Sequence, residues 1–456
     1  MVMITQEAAK GLETLPFLKT FTSEAFYFIA GALMLLIHVG FLAYEGGASR
    51  SKNLLATMLK NLMTLATVGL TFYFFGWWVY NGFSMWPTTG PLFGPWTDPG
   101  SLSDAAQAAF APVPASYPWA DSMTPTKGDE FTGVFWFVFA LFAMTTASIL
   151  SGACIERIKV GGYYILSIVL GSFLWVVAAA WGWNYFGWYT SAWGFHDFGC
   201  AVCVHAISGW FALGTLINLG PRKGKYDANG KPQAILPHNI SLTMIGLMLI
   251  FVGFYFFLAC CVVYLPDYTS IVNIFGSPTT LSMIAVNTTL ALCAGLIGAY
   301  TSSKADPFFT ISGGLTGIIM VAAGMDVYHP SLVIVLAFAG AWIMPKVARF
   351  IEMRGIDDAV GAFAVHGVTG TISGILPGIF AAGYIAQDGQ APINLAGQIG
   401  GTAITAIILG FIPGYLISLL LKKLNMLRVE DEVEVRGLDV TELGVDAYPE
   451  RSAFSS

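Results

Sequence analysis

Long apolar runs are the feature that most limits how this chain can fold. Each covers about 17–25 residues, which lets a helix cross a hydrocarbon core about 30 Å thick. Charged residues make up 11% of the chain, against about 25% in a soluble domain, so the sequence predicts an all-α integral membrane protein. We count about eleven runs, of which the eighth and ninth are short and closely spaced. They begin near Ala25, Leu62, Thr132, Tyr164, Gly199, Ile240, Leu281, Phe308, Pro330, Gly361 and Leu395.

Lysine and arginine are unevenly distributed among the connections between these runs. Because basic loops stay on the cytoplasmic side, we expect the N-terminus outside, the C-terminus in the cytoplasm and the chain in the cell membrane. An odd number of spans leads to the same orientation. The intervening loops hold Lys127, whereas the basic connections hold Arg50, Lys52 and Lys60; Arg157 and Lys159; Arg222, Lys223, Lys225 and Lys231; Lys304; Lys346, Arg349 and Arg354; and Lys422 and Lys423.

Two histidines lie inside apolar runs with nearly the same neighbours. His205 lies in Val204-His205-Ala206-Ile207-Ser208-Gly209, and His366 lies in Val365-His366-Gly367-Val368-Thr369-Gly370. A titratable side chain inside a bilayer span is costly and usually functional. A neutral imidazole donates a hydrogen bond from one nitrogen and accepts one at the other, so a facing pair could share a proton and line a path for a small polar species. The alternative is that each ring only caps a backbone carbonyl between helices.

The histidine segments also indicate an internal repeat. They end spans five and ten, and a unit with an odd number of spans is inverted relative to its copy. We therefore predict an inverted five-plus-five repeat with one added helix, in residues 25–219, 238–382 and 395–421 of a transmembrane domain covering residues 1–424. Residues 425–456 are expected to form a polar cytoplasmic tail. The exterior stretch from Met85 to Asp129 is expected to be a loop without regular structure.

An aspartate stands eight residues before each histidine, at Asp197 and Asp358. Both precede a predicted helix, where a carboxylate accepts hydrogen bonds from free backbone amides and interacts favourably with the helix dipole. We expect both to be N-caps. Asp197 lies on the exterior side, so a second role, attracting a cation to the pore, stays open.

The remaining reactive residues do not indicate an enzyme. The six cysteines lie in or beside apolar runs and are expected to be packing residues. Cys200 and Cys203 followed by His205 suggest a metal site, but a second separated ligand pair is missing. We find no nucleophile–base set, and we expect no metal, no cofactor and no nucleic-acid partner; membrane lipid surrounds the chain.

Several ordered motifs occur along essentially the full length of the chain. They are Glu45-Gly46-Gly47 with Ser51-Lys52-Asn53, Ser151-Gly152-Ala153-Cys154-Ile155-Glu156-Arg157-Ile158, Asp197-Phe198-Gly199, Pro237-His238-Asn239, Lys304-Ala305-Asp306-Pro307, Gly313-Gly314-Leu315-Thr316-Gly317, Asp357-Asp358, and Gly437-Leu438-Asp439-Val440. In this series the chain resembles the ammonium transporters of the Amt/Mep/Rh superfamily. The resemblance implies a homotrimer of eleven-helix subunits, each with its own narrow hydrophobic pore, and a cytoplasmic face at which a PII-type signalling protein can bind.

The same resemblance assigns roles to residues of the pore. His205 and His366 are similar to the twin histidines at the pore centre, past which ammonia moves while a proton is relayed separately. Phe142 and Phe257 stand at the positions of the phenylalanines that close the outer pore. Asp197 matches the aspartate near the site where ammonium is recruited, and Cys261 stands where that site has a hydroxyl.

The chain departs from the family pattern around that outer site. Leu258 replaces an amide, Cys261 replaces the hydroxyl, and Gly361 replaces an aspartate five residues before the second histidine. The stretch from Trp181 to Trp188 leaves open which tryptophan completes the recruitment site. The predicted function is transport of ammonium or ammonia. The alternatives are an ammonium sensor or transceptor, and a transporter of another small amine.

Single-cysteine labelling in a cysteine-free background tests the predicted orientation. We expect a membrane-impermeant reagent added outside to label Ser101→Cys and not Lys223→Cys, because the basic connection stays in the cytoplasm. Labelling of Lys223→Cys without labelling of Ser101→Cys would overturn the topology.

Overall fold

The fold is described from a computed structural model, which covers residues 21–84, 130–264, 271–384 and 390–450. The loop expected from Met85 to Asp129 and the end of the tail, residues 451–456, lie outside the described residues. We call the side on which the tail packs the inner side and the opposite side the outer side.

Apolar helices form almost all of the described chain. Ten of those in the described residues are long and apolar enough to cross a membrane, and one more, of 16 residues, is shorter. This is the all-helical membrane architecture that the sequence predicts. In chain order the helices are α1 Phe21–Ala48, α2 Ser51–Gly76, α3 Gly133–Ala153, α4 Val160–Gly182, α5 Ala201–Leu219, α6 Ile240–Ala259, α7 Leu281–Ser303, α8 Pro307–Ala322, α9 Pro330–Met353, α10 Phe363–Phe380 and α11 Leu395–Lys423.

Two expectations about these helices are wrong. The ninth is not short: α9 has 24 residues, because the helix continues through Pro345 and the basic residues that follow its apolar part. Several basic residues expected in connections lie inside the ends of α2, α9 and α11 instead, namely Lys52, Lys346, Arg349, Lys422 and Lys423. Lys60 does not lie in a connection either, since α2 begins at Ser51, where polar residues are already helical. Its side chain is 5% exposed, and Nζ donates a hydrogen bond to the Ser151 carbonyl, 2.9 Å away.

Polar side chains fix where several of the helices begin. Asn239, Thr280 and Asn394 accept hydrogen bonds from backbone amides in the first turns of α6, α7 and α11. Asp306 does the same for α8, and Pro307 follows it at the first helical position. Each cap satisfies amide donors that a helix leaves without a partner, which matters most where lipid offers none.

A two-stranded hairpin follows the outer end of α6. Its strands are β1 Val262–Val263 and β2 Val272–Asn273, paired antiparallel with Val262 opposite Asn273. The amide of Ile274 donates to the carbonyl of Cys261 at 3.1 Å. The hairpin therefore fixes the backbone that leaves α6 at its outer end.

The tail packs on the inner face of its own chain. Asp439 accepts hydrogen bonds from the amides of Leu55 and Ala56, at 3.0 and 2.8 Å, at the beginning of α2. On the same face, Lys52 Nζ donates to the Glu434 carbonyl at 2.8 Å, and Tyr448 contacts His238 Nε2 at 3.1 Å. These contacts join the tail to α2 and to the connection before α6.

Buried charges on the inner side form one network around Asp357. Its carboxylate accepts hydrogen bonds from the backbone amide, Nε and Nη2 of Arg222, at 2.8–2.9 Å. Arg157, which is fully buried, donates from Nη2 to the Asp357 carbonyl at 2.6 Å. Burial alone raises the pKa of Asp357, but Arg157 and Arg222 hold it well below its ordinary value. The network ties the connections after α3, α5 and α9 together.

Replacing Asp357 by alanine should destabilise the protein strongly. It removes the carboxylate that pairs with Arg222 and lies 3.9 Å from Arg157 Nη2, and it leaves Glu156, at 3.9 Å, as the remaining carboxylate beside Arg222. Breaking a buried ion pair in this way costs about 3–5 kcal/mol. Thermal unfolding in detergent measures the loss. Asp431→Ala, which removes an exposed partner of Lys223, is the control and should change the melting temperature little.

The ion pair between Asp357 and Arg222 also makes the stability of the folded protein depend on pH. Because the pKa of Asp357 is depressed in the folded protein, its ionised form contributes stability above the unfolded pKa of about 4, and this contribution is lost as the pH falls below that value. The melting temperature of the wild type should therefore fall more between pH 7 and pH 3 than that of Asp357→Ala. Equal falls would contradict the assignment.

Candidate functional site

The two histidines predicted from the sequence meet in the interior. The Nδ1 atoms of His205 and His366 are 3.0 Å apart, and the ring centroids are 5.2 Å apart with an interplanar angle of 22°. His205 is fully buried and His366 is 6% exposed. Each Nδ1 therefore has the other ring as its partner, so the backbone-carbonyl alternative does not describe this contact.

Each histidine lies in a π-helical turn. The turns are Ala201–Ala206 at the start of α5 and Phe363–Val368 at the start of α10. In the first turn the amide of His205 donates to the carbonyl of Cys200, five residues earlier, at 3.3 Å. Such widened turns occur often at functional sites. Here both turns carry their histidines towards the contact between the two helices.

Glycines let α5 and α10 approach closely enough for the rings to meet. A Cβ atom on Gly209 would lie 2.1 Å from the amide nitrogen of Gly367. A Cβ atom on Gly370 would lie 2.4 Å from the carbonyl oxygen of Ala201. Gly209 follows His205 by four residues and Gly370 follows His366 by four. The matched sequence pattern thus includes the residues that set the distance between the helices.

Asp197 and Asp358 lie at the starts of the two π-helical turns. Asp197 Oδ2 accepts hydrogen bonds from the amides of Val202 and Cys203, both at 2.9 Å. Asp358 accepts from Ala362 and Phe363, at 2.9 and 2.7 Å. Both carboxylates thus satisfy amides of a first helical turn, as a cap does, but the N-cap positions themselves are Cys200 and Ala362, so neither aspartate is the N-cap residue that the sequence predicts. Burial raises the pKa of Asp197 to about 6, while the hydrogen bonds from the amides of Cys203 and Val202 oppose the rise.

Aromatic rings close the outer side of the histidine pair. The Phe142 and Phe257 centroids are 4.2 Å apart, and both side chains are fully buried. The Trp183 ring lies 4.8 Å from that of Phe142, and its Nε1 donates to the Phe198 carbonyl at 2.9 Å. Trp181 instead packs against Trp188. Of the tryptophans that the sequence left open, Trp183 is therefore the one beside Phe142.

Cys261 lies directly after the turn that carries Phe257. Its Sγ donates to the Phe257 carbonyl at 3.4 Å, and its thiol is also a side-chain hydrogen-bond partner of Cys200. Burial raises the pKa of the Cys261 thiol, so it stays protonated. Leu258 packs towards Gly199, which lies two residues before the start of α5. The two departures from the family pattern thus lie at the outer end of the path.

A profile described as the Ammonium Transporter Family matches residues 25–448. The chain belongs to this family. Its members are transporters rather than enzymes, and the chain is accordingly a multi-pass membrane protein related to ammonium transport.

Relatives and solved structures agree with this assignment. Ammonium transporter Amt2 of Archaeoglobus fulgidus is 30% identical over 446 residues, covering 92% of this chain and 87% of that protein. Amt2 of Methanocaldococcus jannaschii is 29% identical, with 95% and 93% covered. A structure named Sensor Amt Protein has a TM-score of 0.75 at 26% identity, with 93% of this chain and 99% of that chain covered. Mep2 of Candida albicans, at 20% identity and a TM-score of 0.69, with 90% and 86% covered, shares the fold.

A further polar cluster on the outer side was missed by the sequence reasoning. His196 Nε2 lies 3.0 Å from Asp326 Oδ1, and Asn273 Nδ2 donates to Asp326 Oδ2 at 2.6 Å. The His196 amide donates to Gln398 Oε1 at 2.7 Å. The four residues come from four separated segments, so no local pattern joins them. The one available signal was the position of His196 directly before Asp197.

The cysteine pattern before His205 does not assemble a metal site. Cys203 Sγ donates to the Ala178 carbonyl at 3.5 Å, and His205 Nδ1 faces His366. Within the described ranges, no group of three or more His, Cys, Asp or Glu side chains is placed to hold a metal ion.

Proposed function

We propose that this chain moves ammonium nitrogen across the cell membrane as ammonia, with the proton relayed separately through His205 and His366. The observation that carries the proposal is the 3.0 Å contact between their Nδ1 atoms. Membership of the ammonium transporter family supports it. The runner-up, a carrier of another small amine, uses the same path and differs only at the outer site.

The histidine pair can pass a proton without a large movement. In the contact between the two Nδ1 atoms one ring donates and the other accepts. His205 Nε2 is buried and has no hydrogen-bond partner among the described residues, so it is available to a passing molecule. A proton taken up at one ring is then matched by release from the other. The rings exchange roles when the proton between them shifts.

The walls of the path favour the neutral molecule. The His205 ring lies 5.7 Å from that of Phe254 and 6.1 Å from that of Phe257. An ion in such an apolar environment loses its hydration without compensation, whereas a small neutral amine loses far less. The aromatic pair Phe142 and Phe257 would therefore admit ammonia after ammonium has given up its proton on the outer side.

Asp197 supplies a negative charge close to that outer step. Its Oδ2 accepts hydrogen bonds from amides in the first turn of α5, while Oδ1 is buried and lacks a hydrogen-bond partner in the described part of the chain. A carboxylate at this place raises the local concentration of a cation. Aromatic faces add an attraction of about 2 kcal/mol for a dehydrated cation, and Trp183 and Phe142 offer such faces. We assign Asp197 both roles, stabilising the first turn of α5 and recruiting the cation.

The assembly and orientation are part of the same proposal. A homotrimer, an exterior N-terminus and a cytoplasmic C-terminus follow from the family resemblance and from the basic inner connections. The inner face, with the tail fixed on it through Asp439, is where a PII-type protein would bind. Light scattering of the purified protein measures the subunit number. A pull-down at each nucleotide state tests the PII-type partner, and absence of binding in all of them would remove it.

A sensor or transceptor is the second candidate. The observation that favours it is the tail, whose residues contact the beginning of α2 and His238, so a change in the helices could be transmitted to the inner face. Uptake of labelled methylammonium into proteoliposomes, measured beside ammonium binding, separates the two candidates. Binding without uptake would favour the sensor.

Replacing either central histidine should remove the proton-coupled current. Without one ring the relay is broken, and the current should fall by about 10²–10⁴-fold or become an uncoupled leak. His38→Ala is the matched control, because His38 is also a buried histidine in a membrane helix but contacts Thr145 instead. The measurement is current after an ammonium jump on reconstituted protein. Normal current and selectivity in both single variants would make the pair structural.

Restoring the hydroxyl at the outer site should strengthen ammonium binding. Serine at position 261 accepts a hydrogen bond from a cation better than a thiol does, and a hydrogen bond to a charged group contributes about 1.5–3 kcal/mol. Cys261→Ser should therefore raise apparent ammonium affinity by roughly ten- to a hundredfold. Cys154→Ser is the control, because Cys154 is also a buried cysteine but lies away from the outer site. If Cys261→Ser leaves the apparent ammonium affinity unchanged while a larger amine is transported well, the result would favour another small amine as the substrate.

A further inference from the structure

We propose that Glu45 is the group that exchanges the relayed proton with the inner side after it leaves His366. This inference rests on the proposed function and adds a residue to it. Glu45 belongs to the first of the family motifs, and the histidine pair by itself does not explain how a proton leaves the apolar centre.

Glu45 and His366 face the same small cavity. The cavity lies on the inner side of the histidine pair and has a volume of about 20 Å³, which is room for about one water molecule. Glu45 is 1% exposed. The proposal places one water molecule in this space, between the His366 imidazole and the Glu45 carboxyl group. The lining includes Tyr44, Glu45, Gly152, Ser312, Val360 and His366.

The carboxyl group is oriented but keeps free acceptor positions. Ser151 Oγ donates to Glu45 Oε1, and Asn61 Nδ2 donates to Oε2 at 2.7 Å. Each oxygen has a second lone pair. A Cβ atom on Gly152 would lie 3.2 Å from Oε1, so the missing side chain at this position leaves that oxygen open towards the cavity.

A second, larger cavity lies close to this one on the inner side. Val360 and Ala362 line the small cavity, while Ala359 and Gly361 line a larger one of about 170 Å³. One short segment thus separates the two spaces. Gly361 has a positive φ of 74° and no atoms near the position of a Cβ, so no side chain from this residue stands between the cavities.

A purely structural role for Glu45 would be to balance the charge of Lys60. Lys60 Nζ donates to the carbonyl of Ser151, the residue whose hydroxyl contacts Glu45. The other titratable groups that interact electrostatically with Glu45 are Tyr44, Cys154 and Tyr163. Charge balance and proton exchange make different demands, because only the second requires a group that gains and loses a proton during each cycle.

The test compares Glu45→Gln with wild type in proteoliposomes. Glutamine keeps the size and most hydrogen bonds but cannot exchange the proton. The current after an ammonium jump should fall by about a hundredfold, while passive entry of ammonia, followed as internal alkalinisation, stays. Glu156→Gln is the matched control, since Glu156 is a buried carboxylate on the same side, paired with Arg50 away from the cavity. Its current should stay within about twofold of wild type, as expected of a group outside the relay.

Ser151→Ala keeps the proposal testable if Glu45→Gln does not fold. Losing this donor makes the Glu45 carboxylate a stronger base, so the midpoint of current against pH should move up by about one pH unit. An unmoved midpoint, or a wild-type current and pH profile in Glu45→Gln, would overturn the role of Glu45. A wild type that carries neither current nor uptake would instead overturn the proposed function itself.

Discussion

The close crossing of α5 and α10 is the constraint on which the rest of the site depends. Backbone meets backbone at Gly209 and Gly370, because any side chain there would push the helices apart. That separation is what allows His205 and His366 to share a 3.0 Å contact. In a membrane, small residues at helix interfaces also provide the packing that holds helices together. The same feature therefore stabilises the fold and positions its chemistry.

The carboxylates nearest the crossing interact with the ends of the two helices. Asp197 and Asp358 satisfy the amides that the two helices leave open, and Phe142 and Phe257 cover the outer side. Charges that the fold requires lie farther inward, in the network around Asp357. Under the proposed function, this arrangement would separate two demands on the chain: a dry centre that favours a neutral molecule, and charged ends that attract its ionic form.

Much of this arrangement could be predicted because it is periodic or locally matched. The length of the apolar runs predicted the membrane-spanning helices, and the shared pattern around His205 and His366 predicted a facing pair. The predictions of a short ninth helix and of Lys60 in a connection were wrong, because the length of an apolar run does not show that the helix continues through polar residues. Contacts between distant segments, such as His196 with Asp326 and Glu45 with Asn61, had no local signature. The π-helical turns likewise depend on tertiary packing.

The most direct test of the account is the ratio of charge to nitrogen moved by the reconstituted wild type. Current and labelled methylammonium uptake would be recorded on the same proteoliposomes under one inward gradient. Separate passage of ammonia and its proton predicts about one charge per nitrogen in the wild type, and nitrogen movement with little or no coupled charge once His205 or His366 is replaced. Uptake without charge in the wild type, or an unchanged ratio in both variants, would contradict the relay.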